Sequence, residues 1–188
     1  MQRNLAHLAL AVLLAGCDPP KTPLPPDDSV TPSVRVQIAD YAAIEKLIAG
    51  HRGKVVVVDI WATNCPPCLE EFHHLVELHK KYGPERIACV SLSLDYEGIV
   101  DKPPESYTPK VLKFLNEQGA TFDNIIASEE SEVMMNQHLR ITNPPAVFVY
   151  DKTGRRREKI MPDVEAESDR PAPKIYDRVG QLVAELMK

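Results

Sequence analysis

Two runs of aliphatic residues, separated by a stretch of helical composition, dominate the hydrophobic pattern of this chain. Residues 55–58 are consecutive valines, and such an uninterrupted run is typical of a strand that is buried on both faces. Residues 87–94 form a second run, and the segment between the two (69–82) has helical composition and stops at Gly83. Strand, helix and strand within about 40 residues predict a βαβ unit with a right-handed crossover.

The rest of the pattern adds helices and an antiparallel hairpin around this unit. Asp40 is placed to cap a helix that runs to Ala49 and ends at Gly50. Periodicity predicts an edge strand at 34–38 and helices at 109–118, 128–139 and 174–187, the second of them capped by Ser128 or Ser131. Turn residues at 151–154 predict a hairpin with strands at 146–150 and 155–160. The segments 95–108 and 161–173 are predicted to be loops. The predicted fold class is α/β: a mixed central sheet, with parallel strands first and an antiparallel pair last, flanked by helices.

The N-terminal segment has the composition of an export signal and a spacer. Arg3 precedes an apolar stretch (5–15) that is too short to cross a bilayer, and residues 14–17, Leu-Ala-Gly-Cys, resemble the lipobox of bacterial lipoproteins. That resemblance implies cleavage before Cys17 and lipidation of its sulfur; the alternative is an ordinary secretory peptide in which Cys17 is incidental. Prolines at positions 19, 20, 23, 25, 26 and 32 predict an extended spacer. We therefore expect a signal peptide at 1–16, an anchor and linker at 17–33, and one domain at 34–188.

The charge balance excludes one class of partner. The chain has 22 lysine and arginine residues against 27 aspartate and glutamate residues, a formal net charge of -5, whereas nucleic-acid binding needs a concentrated basic surface. The dense basic run at residues 155–157 follows a Thr-Gly turn and is interpreted as a solvated hairpin tip. We therefore expect no nucleic-acid partner.

Cys65 and Cys68 enclose two prolines between the valine strand and the following helix. A C-x-x-C pair at this junction of a βαβ unit is a redox signature, because two cysteines on the first helical turn can bond to each other or both be free. The first cysteine points outward, where the helix end favours its thiolate, and the second lies deeper and can resolve a mixed disulfide. Since Pro66 and Pro67 have no N–H to donate towards the Cys65 sulfur, we expect a moderately stabilised thiolate and a reducing or isomerising role.

Two other interpretations of the cysteine pair compete with redox use. A structural zinc site needs four ligands, and the chain has no second C-x-x-C and no C-x-x-H. A structural disulfide would suit an exported chain, but one that spans so few residues closes a small loop and stabilises little. We therefore expect a redox pair, with no metal and no cofactor.

Two stretches of the chain resemble the thioredoxin superfamily. Residues 55–68, Val-Val-Val-Val-Asp-Ile-Trp-Ala-Thr-Asn-Cys-Pro-Pro-Cys, are similar to its active-site segment, and above all to the exported branch related to TlpA and ResA. Residues 143–151, Asn-Pro-Pro-Ala-Val-Phe-Val-Tyr-Asp, resemble the family's cis-proline strand. The resemblance covers most of 34–188 and implies a thioredoxin fold with a helical insertion at about 95–139. Members of this branch are often membrane-anchored thiol-disulfide oxidoreductases.

The resemblance also implies roles for individual residues. Cys65 would be the attacking thiol and Cys68 the resolving thiol. Asp59 would be a buried acid with a raised pKa that takes the Cys68 proton; a capping or solvent-bridged aspartate is the alternative. Pro145, in cis, would pack against the pair and, with Pro144, present backbone to a substrate chain; the alternative is two trans prolines that end a loop.

Further positions match the family less specifically or depart from it. Trp61 matches an aromatic residue beside the disulfide and is expected to border the substrate, with core packing as the alternative. Glu71 falls where many relatives have an acidic residue, which a surface helix position would also explain. Asn64 stands where thioredoxin has tryptophan, and Ser91 roughly where it has a lysine beside the buried acid, so the route of proton transfer is open. Cys89, inside the second strand, is expected to be an inert core residue.

These observations predict an enzyme that reduces or isomerises disulfides in exported proteins. The resemblance implies cytochrome c precursors as typical clients and a membrane electron donor as partner. The protein would be a monomer, held by a lipid at Cys17 to the cytoplasmic membrane and facing the periplasm or the cell exterior. The alternative from another class is a copper chaperone or binding module on the same fold, which the two-residue spacer between the cysteines disfavours.

Overall fold

The structure is a computed structural model of the chain, and it describes residues 33–162 and 175–188. In these residues the strands are Gln37–Ala39 (β1), Val55–Trp61 (β2), Ile87–Ser93 (β3), Asp123–Ala127 (β4), Ala146–Tyr150 (β5) and Arg156–Ile160 (β6). The helices are Tyr41–Gly50 (α1), Pro66–Glu71 (α2), His73–Tyr82 (α3), Thr108–Gln118 (α4), Ser131–Val133 (α5) and Ile175–Leu186 (α6), with a 3₁₀ turn at Pro104–Tyr107 and a π-helical turn at Met134–Leu139.

The predicted signal peptide at 1–16, the lipidation site Cys17 and all of the predicted spacer except Ser33 lie outside the described residues. Within the residues that the structure does describe, no helix is both long enough and apolar enough to cross a bilayer.

The strands form one six-stranded sheet in the order β1-β4-β3-β2-β5-β6. The first four strands of this order are parallel to one another, whereas β5 runs antiparallel to β2 and β6 antiparallel to β5. The prediction of a mixed sheet with an antiparallel hairpin at its end is therefore confirmed. Because parallel strands end at the same edge, the loops that follow β2 and β3 lie together, and the loop that enters β5 joins them there.

Strand β2 lies at the centre of the sheet and supplies residues to both cores. Val56, Val58 and Ile60 pack in the cluster that contains residues of α1 and of the π-helical turn. Val55 and Val57 pack on the other face, in the cluster that contains residues of α3 and α6. Since both faces are covered, the valine run shows no alternation of apolar and polar residues.

The predicted helical insertion at 95–139 needs a correction, because it contains a strand. Strand β4 lies between β1 and β3 and is parallel to both. It is short, and its apolar residues are confined to Ile125, Ile126 and Ala127, so no period stood out in the sequence. Asn124 adds a polar side chain inside this strand, which masks it further.

Two predicted helices also differ in their bounds. The helix expected at 69–82 begins earlier, at Pro66, and is interrupted at Phe72. The helix expected at 128–139 begins at Ser131 and neither Ser128 nor Ser131 caps it, because Glu130 occupies the N-cap position without a side-chain hydrogen bond. The N-cap at Asp40 is confirmed: its carboxylate accepts a 2.8 Å hydrogen bond from the Ala43 N–H.

The side chain of Asn124, on β4, bonds to the neighbouring strand β3 and to the backbone segments that lead into β1 and β4. Its amide nitrogen lies 2.8–3.0 Å from backbone carbonyl oxygens of Arg35, Ala120 and Phe122. Its carbonyl oxygen accepts a 2.9 Å hydrogen bond from the Ser91 hydroxyl on β3. The side chain is buried, so these bonds replace contacts that water would otherwise supply.

We expect Asn124→Ala to lower the free energy of unfolding by about 2–3 kcal/mol, because it leaves buried carbonyl groups without donors. Urea unfolding followed by circular dichroism measures this loss. Asn116→Ala is the matched control, since the Asn116 amide donates to the Leu112 carbonyl on the exposed side of α4, and it should cost less than about 1 kcal/mol. Equal losses in the two variants would contradict the role given to Asn124.

Candidate active site

The cysteine pair lies where β2 ends and α2 begins. The backbone turns after Trp61, and the Cys65 N–H donates to the Ala62 carbonyl at 3.1 Å. Cys65 is the N-cap of α2, and prolines occupy the first two helical positions. Proline is tolerated there because the first N–H groups of a helix have no intrahelical partner. The two prolines therefore start the helix and also remove two backbone donors near the Cys65 sulfur.

Cys65 and Cys68 form a disulfide in the structure, with an S–S distance of 2.02 Å and a Cα–Cα distance of 5.3 Å. Cys65 is 9% exposed and Cys68 3% exposed, so the first residue of the pair is the more accessible of the two. This difference agrees with the predicted division into an attacking and a resolving cysteine. The pair can exchange two electrons with another dithiol or disulfide through a mixed disulfide.

The predicted cis proline is present at the same edge of the sheet. The Pro144–Pro145 peptide bond is cis, and β5 begins at the next residue. The antiparallel pairing of β2 with β5 places Ala146 opposite Ile60, which brings this loop to the end of β2, where the cysteine segment starts. Pro145 is buried and Pro144 is half-buried. Their predicted contact with a substrate chain remains a prediction.

Trp61 lies in the core beneath the pair. Its ring is fully buried and packs against Phe72 and Phe114, with ring centroids 5.2 Å and 4.9 Å away. These aromatic rings belong to the same hydrophobic cluster as Cys65 and Cys68. Packing of this kind fixes the start of α2 relative to the sheet, which corresponds to the core-packing alternative for Trp61.

Asp59 is a buried carboxylate on β2, on the same side of the strand as Val57 and Trp61. The hydroxyl of Tyr176, in the first turn of α6, donates a 2.6 Å hydrogen bond to its Oδ2 atom. Burial raises the pKa of Asp59 to about 7, the Tyr176 hydrogen bond opposes this rise, and the nearby Glu71 carboxylate adds to it. Asp59 can therefore gain or lose a proton near neutral pH.

Tyr176 was not predicted from the sequence, although it is the direct partner of Asp59. In the sequence it is one aromatic residue at the start of an amphipathic helix, which usually indicates core packing. Ser91, which stands roughly where thioredoxin has its lysine, pairs with Asp59 in the sheet register but donates its hydroxyl hydrogen to Asn124. The partner of the buried acid therefore comes from the C-terminal helix and not from β3.

Asp95 is a second buried carboxylate that the sequence did not indicate. It follows β3 and accepts hydrogen bonds from the Thr63 N–H at 3.1 Å, from the Thr63 hydroxyl, and from the Ser93 hydroxyl at 2.7 Å. Lys110 on α4 lies 3.8 Å away. Asn64, directly before Cys65, donates to Glu97 at 3.4 Å. The loop that carries the cysteine pair is thus fastened to the loop after β3.

Two further groups could react or bind a metal: the free thiol of Cys89 and a cluster of two histidines with a glutamate. Cys89 is buried in β3 with its sulfur 3.7 Å from the Leu75 carbonyl, and burial raises the pKa of its thiol. His73, His74 and Glu77 have ligand atoms within 4.8 Å of one another and are the residues in the described part of the chain that could hold a metal ion. Neither redox cysteine belongs to this cluster.

The chain is similar to one protein family and to several individual proteins. The Redoxin family model matches residues 27–174. The thiol-disulfide oxidoreductase ResA of Bacillus anthracis is 26% identical over 110 residues, 58% of this chain and 56% of that protein. A thiol:disulfide interchange protein DsbE homolog of Paracoccus denitrificans is 33% identical over 101 residues, 54% of this chain and 47% of that protein. The match thus spans about half the length of these relatives.

Solved structures show the same fold at low sequence identity. A putative thiol:disulfide interchange protein DsbE from Chlorobium tepidum has a TM-score of 0.55 and 19% identity over 75% of this chain and 85% of its own. A thiol-disulfide isomerase from Corynebacterium glutamicum has a TM-score of 0.54 and 21% identity over 73% of this chain and 83% of its own. The predicted thioredoxin fold is therefore confirmed.

We expect iodoacetamide to alkylate Cys65 of the reduced chain about tenfold faster than Cys68, because Cys65 is more exposed and lies at the helix end that favours a thiolate. Cys89 should react only after unfolding. Peptide mass spectrometry of samples quenched over time measures each rate. The fully denatured chain, in which all thiols react alike, is the control, and faster labelling of Cys68 would reverse the predicted roles of the pair.

Proposed function

This chain belongs to the Redoxin family, as a ResA-like member of the thioredoxin superfamily, and on that premise we propose that it is a thiol-disulfide oxidoreductase that reduces or isomerises protein disulfides. The observation that carries the proposal is the Cys65–Cys68 disulfide at the N-terminal end of α2, on the same sheet edge as the cis peptide bond before Pro145. The names of the ResA and DsbE relatives support the same chemistry.

In the reducing direction the chemistry has two steps. The Cys65 thiolate attacks one sulfur of the client disulfide, which forms a mixed disulfide and releases the other client sulfur as a thiolate. Cys68, after giving its proton to Asp59, attacks the Cys65 sulfur, closes the Cys65–Cys68 disulfide and releases the second client thiolate. Two electrons pass to the client, and a dithiol donor must return two electrons before the next cycle.

Two features around the pair support a polypeptide client. The first feature is the Pro144–Pro145 loop, which enters β5 at the sheet edge where the cysteine segment starts. We propose that it presents backbone there to an extended client segment. The large hydrophobic side chains exposed in the described residues are Ile99 and Val100, at 44% and 84%. They lie on the loop that Asp95 and Glu97 fasten to the cysteine segment. An apolar client segment beside a cysteine would contact this loop.

The cellular setting belongs to the proposal as well. The lipobox-like residues 14–17 support export and a lipid anchor at Cys17 on the cytoplasmic membrane, facing the periplasm or cell exterior. The resemblance to the TlpA and ResA branch supports a membrane electron donor and cytochrome c precursors as clients. We propose that the protein acts as a monomer, with Cys65 and Cys68 as its reacting groups.

The test of this function is the redox potential of the Cys65–Cys68 couple, measured by equilibration of the full chain with glutathione or dithiothreitol. A reductase should give a value near that of thioredoxin, about −270 mV, whereas a value near −120 mV would indicate disulfide formation instead. Cys68→Ser is the control that cannot form the intramolecular disulfide. A pair that does not cycle at all would overturn the enzymatic function.

The proposed proton acceptor predicts a distinct pH dependence. Above pH of about 7 Asp59 is a carboxylate that can accept the Cys68 proton, so the rate of mixed-disulfide resolution should rise through that pH. We expect Asp59→Asn to remove this inflection and to slow resolution about 10²-fold at pH 8. Stopped-flow release of glutathione from a Cys65–glutathione mixed disulfide measures the rate. Glu105→Gln, at an exposed carboxylate, should leave the profile unchanged.

The contribution of Asp59 to the free energy of unfolding should fall with rising pH, whereas the rate of resolution rises. Because the folded pKa of Asp59 lies above the ordinary value of about 3.9, its favourable contribution is complete below that value and is lost as pH rises through about 7. Asp59→Asn should therefore be more stable than the wild type at pH 8, as measured by urea unfolding. An unaltered rate profile together with unaltered stability would contradict both the burial cost and the role of Asp59.

A further inference from the structure

Tyr176 connects the last helix of the chain to the buried acid on the central strand. It lies in the first turn of α6, one residue after the helix begins. Its ring is buried among the residues that α6 packs against the sheet. Its hydroxyl meets Asp59 Oδ2 at 2.6 Å across 117 positions of sequence. A distance this short is typical of a hydroxyl that donates to a carboxylate.

The groups that face Asp59 come from each element packed around it. Tyr176 approaches from α6, Glu71 from α2 and the Cys89 thiol from β3. No salt bridge among residues 33–162 and 175–188 includes Asp59. In the part of the chain that the structure describes, the side chain that donates a hydrogen bond to this carboxylate is Tyr176.

We propose that Tyr176 is a positioning residue for thiol-disulfide exchange: its hydroxyl fixes the Asp59 carboxylate below α2 and keeps it able to accept the proton of Cys68. This inference rests on the proposed function. A carboxylate buried without a donor would keep its proton up to a higher pH and could accept the Cys68 proton only above that pH. The hydrogen bond from Tyr176 stabilises the ionised form and opposes the effect of burial on the Asp59 pKa.

Groups that contact solvent lie on the outer side of Tyr176. A surface hollow of about 180 Å³ opens beside it and is lined by His74, Glu77, Leu78, Lys81, Tyr176 and Asp177. The His74 ring lies 5.3 Å from the Tyr176 ring, and its side chain is 28% exposed. His74 also lies 3.9 Å from Glu71. The buried pair is thus one side chain away from groups that contact solvent.

The test is the titration of Asp59 in Tyr176→Phe, which keeps the ring and removes the hydroxyl. Carbon-13 NMR of labelled aspartate carboxyl groups, with Asp59→Asn to assign the signal, should show the Asp59 pKa raised by about one to two units. Tyr107→Phe is the matched control, because the buried Tyr107 hydroxyl has no hydrogen-bond partner in the described residues. An unchanged Asp59 titration in Tyr176→Phe would overturn the proposal.

The reaction supplies a second readout. The pH at which resolution of the Cys65–glutathione mixed disulfide reaches half its maximal rate should rise together with the Asp59 pKa. A shifted titration without a shifted rate profile would make Tyr176 a neighbour of Asp59 and not a positioning residue. Neither measurement needs a protein client, so a failure of the proposed protein-disulfide reductase function would be recognised separately, from the redox potential.

A subtler substitution covers the case in which Tyr176→Phe does not fold. 3-Fluorotyrosine at position 176 preserves the ring and makes the phenol a stronger donor. It should therefore lower the Asp59 pKa and shift the rate profile towards lower pH, opposite to the effect of phenylalanine. No shift, or a shift in the same direction as phenylalanine, would overturn the proposal.

Discussion

The pairing of β2 with strands on both sides is the constraint on which the site depends. Its residues pair with β3 along the whole strand and with β5 over most of it, so its register is fixed from both sides. This register fixes Asp59 on the side of α6 and delivers the cysteine segment to the edge where Pro145 enters β5. The hydrophobic cores on the two faces hold the strand in that register. A one-residue shift would move Asp59 from the α6 side of the sheet into the core on the opposite face.

An ionised carboxylate inside such a core lowers the free energy of unfolding, because burial removes its hydration. The groups around Asp59 limit this loss. Burial favours its protonated form, while the Tyr176 hydroxyl favours its ionised form. The balance holds the pKa near neutrality, where a small change in the surroundings changes the charge. Asp95 shows another solution: Thr63 and Ser93 donate hydrogen bonds to it, and its carboxylate fastens a loop.

The sequence predicted those parts of the fold that have a long hydrophobic run or a recognisable local motif. The valine run, the helix capped by Asp40, the hairpin about residues 151–154 and the cysteine pair can all be recognised locally. Strand β4 was missed because it is short, contains Asn124 and pairs with strands distant in sequence. The interruption at Phe72 leaves no local signal either, since the residues on both sides have helical composition.

The sequence by itself determined the mixed α/β class through its hydrophobic pattern and the C-x-x-C pair through its spacing. Its resemblance to the thioredoxin superfamily indicated the cis-proline strand. Only the tertiary structure decided which groups meet the buried acid and which hold the cysteine loop. Tyr176 reaches Asp59 across 117 positions, and Asp95 reaches Thr63 across 32. Such contacts depend on how helices and loops close over the sheet, and that closure is set by packing over the whole domain, which no local pattern encodes.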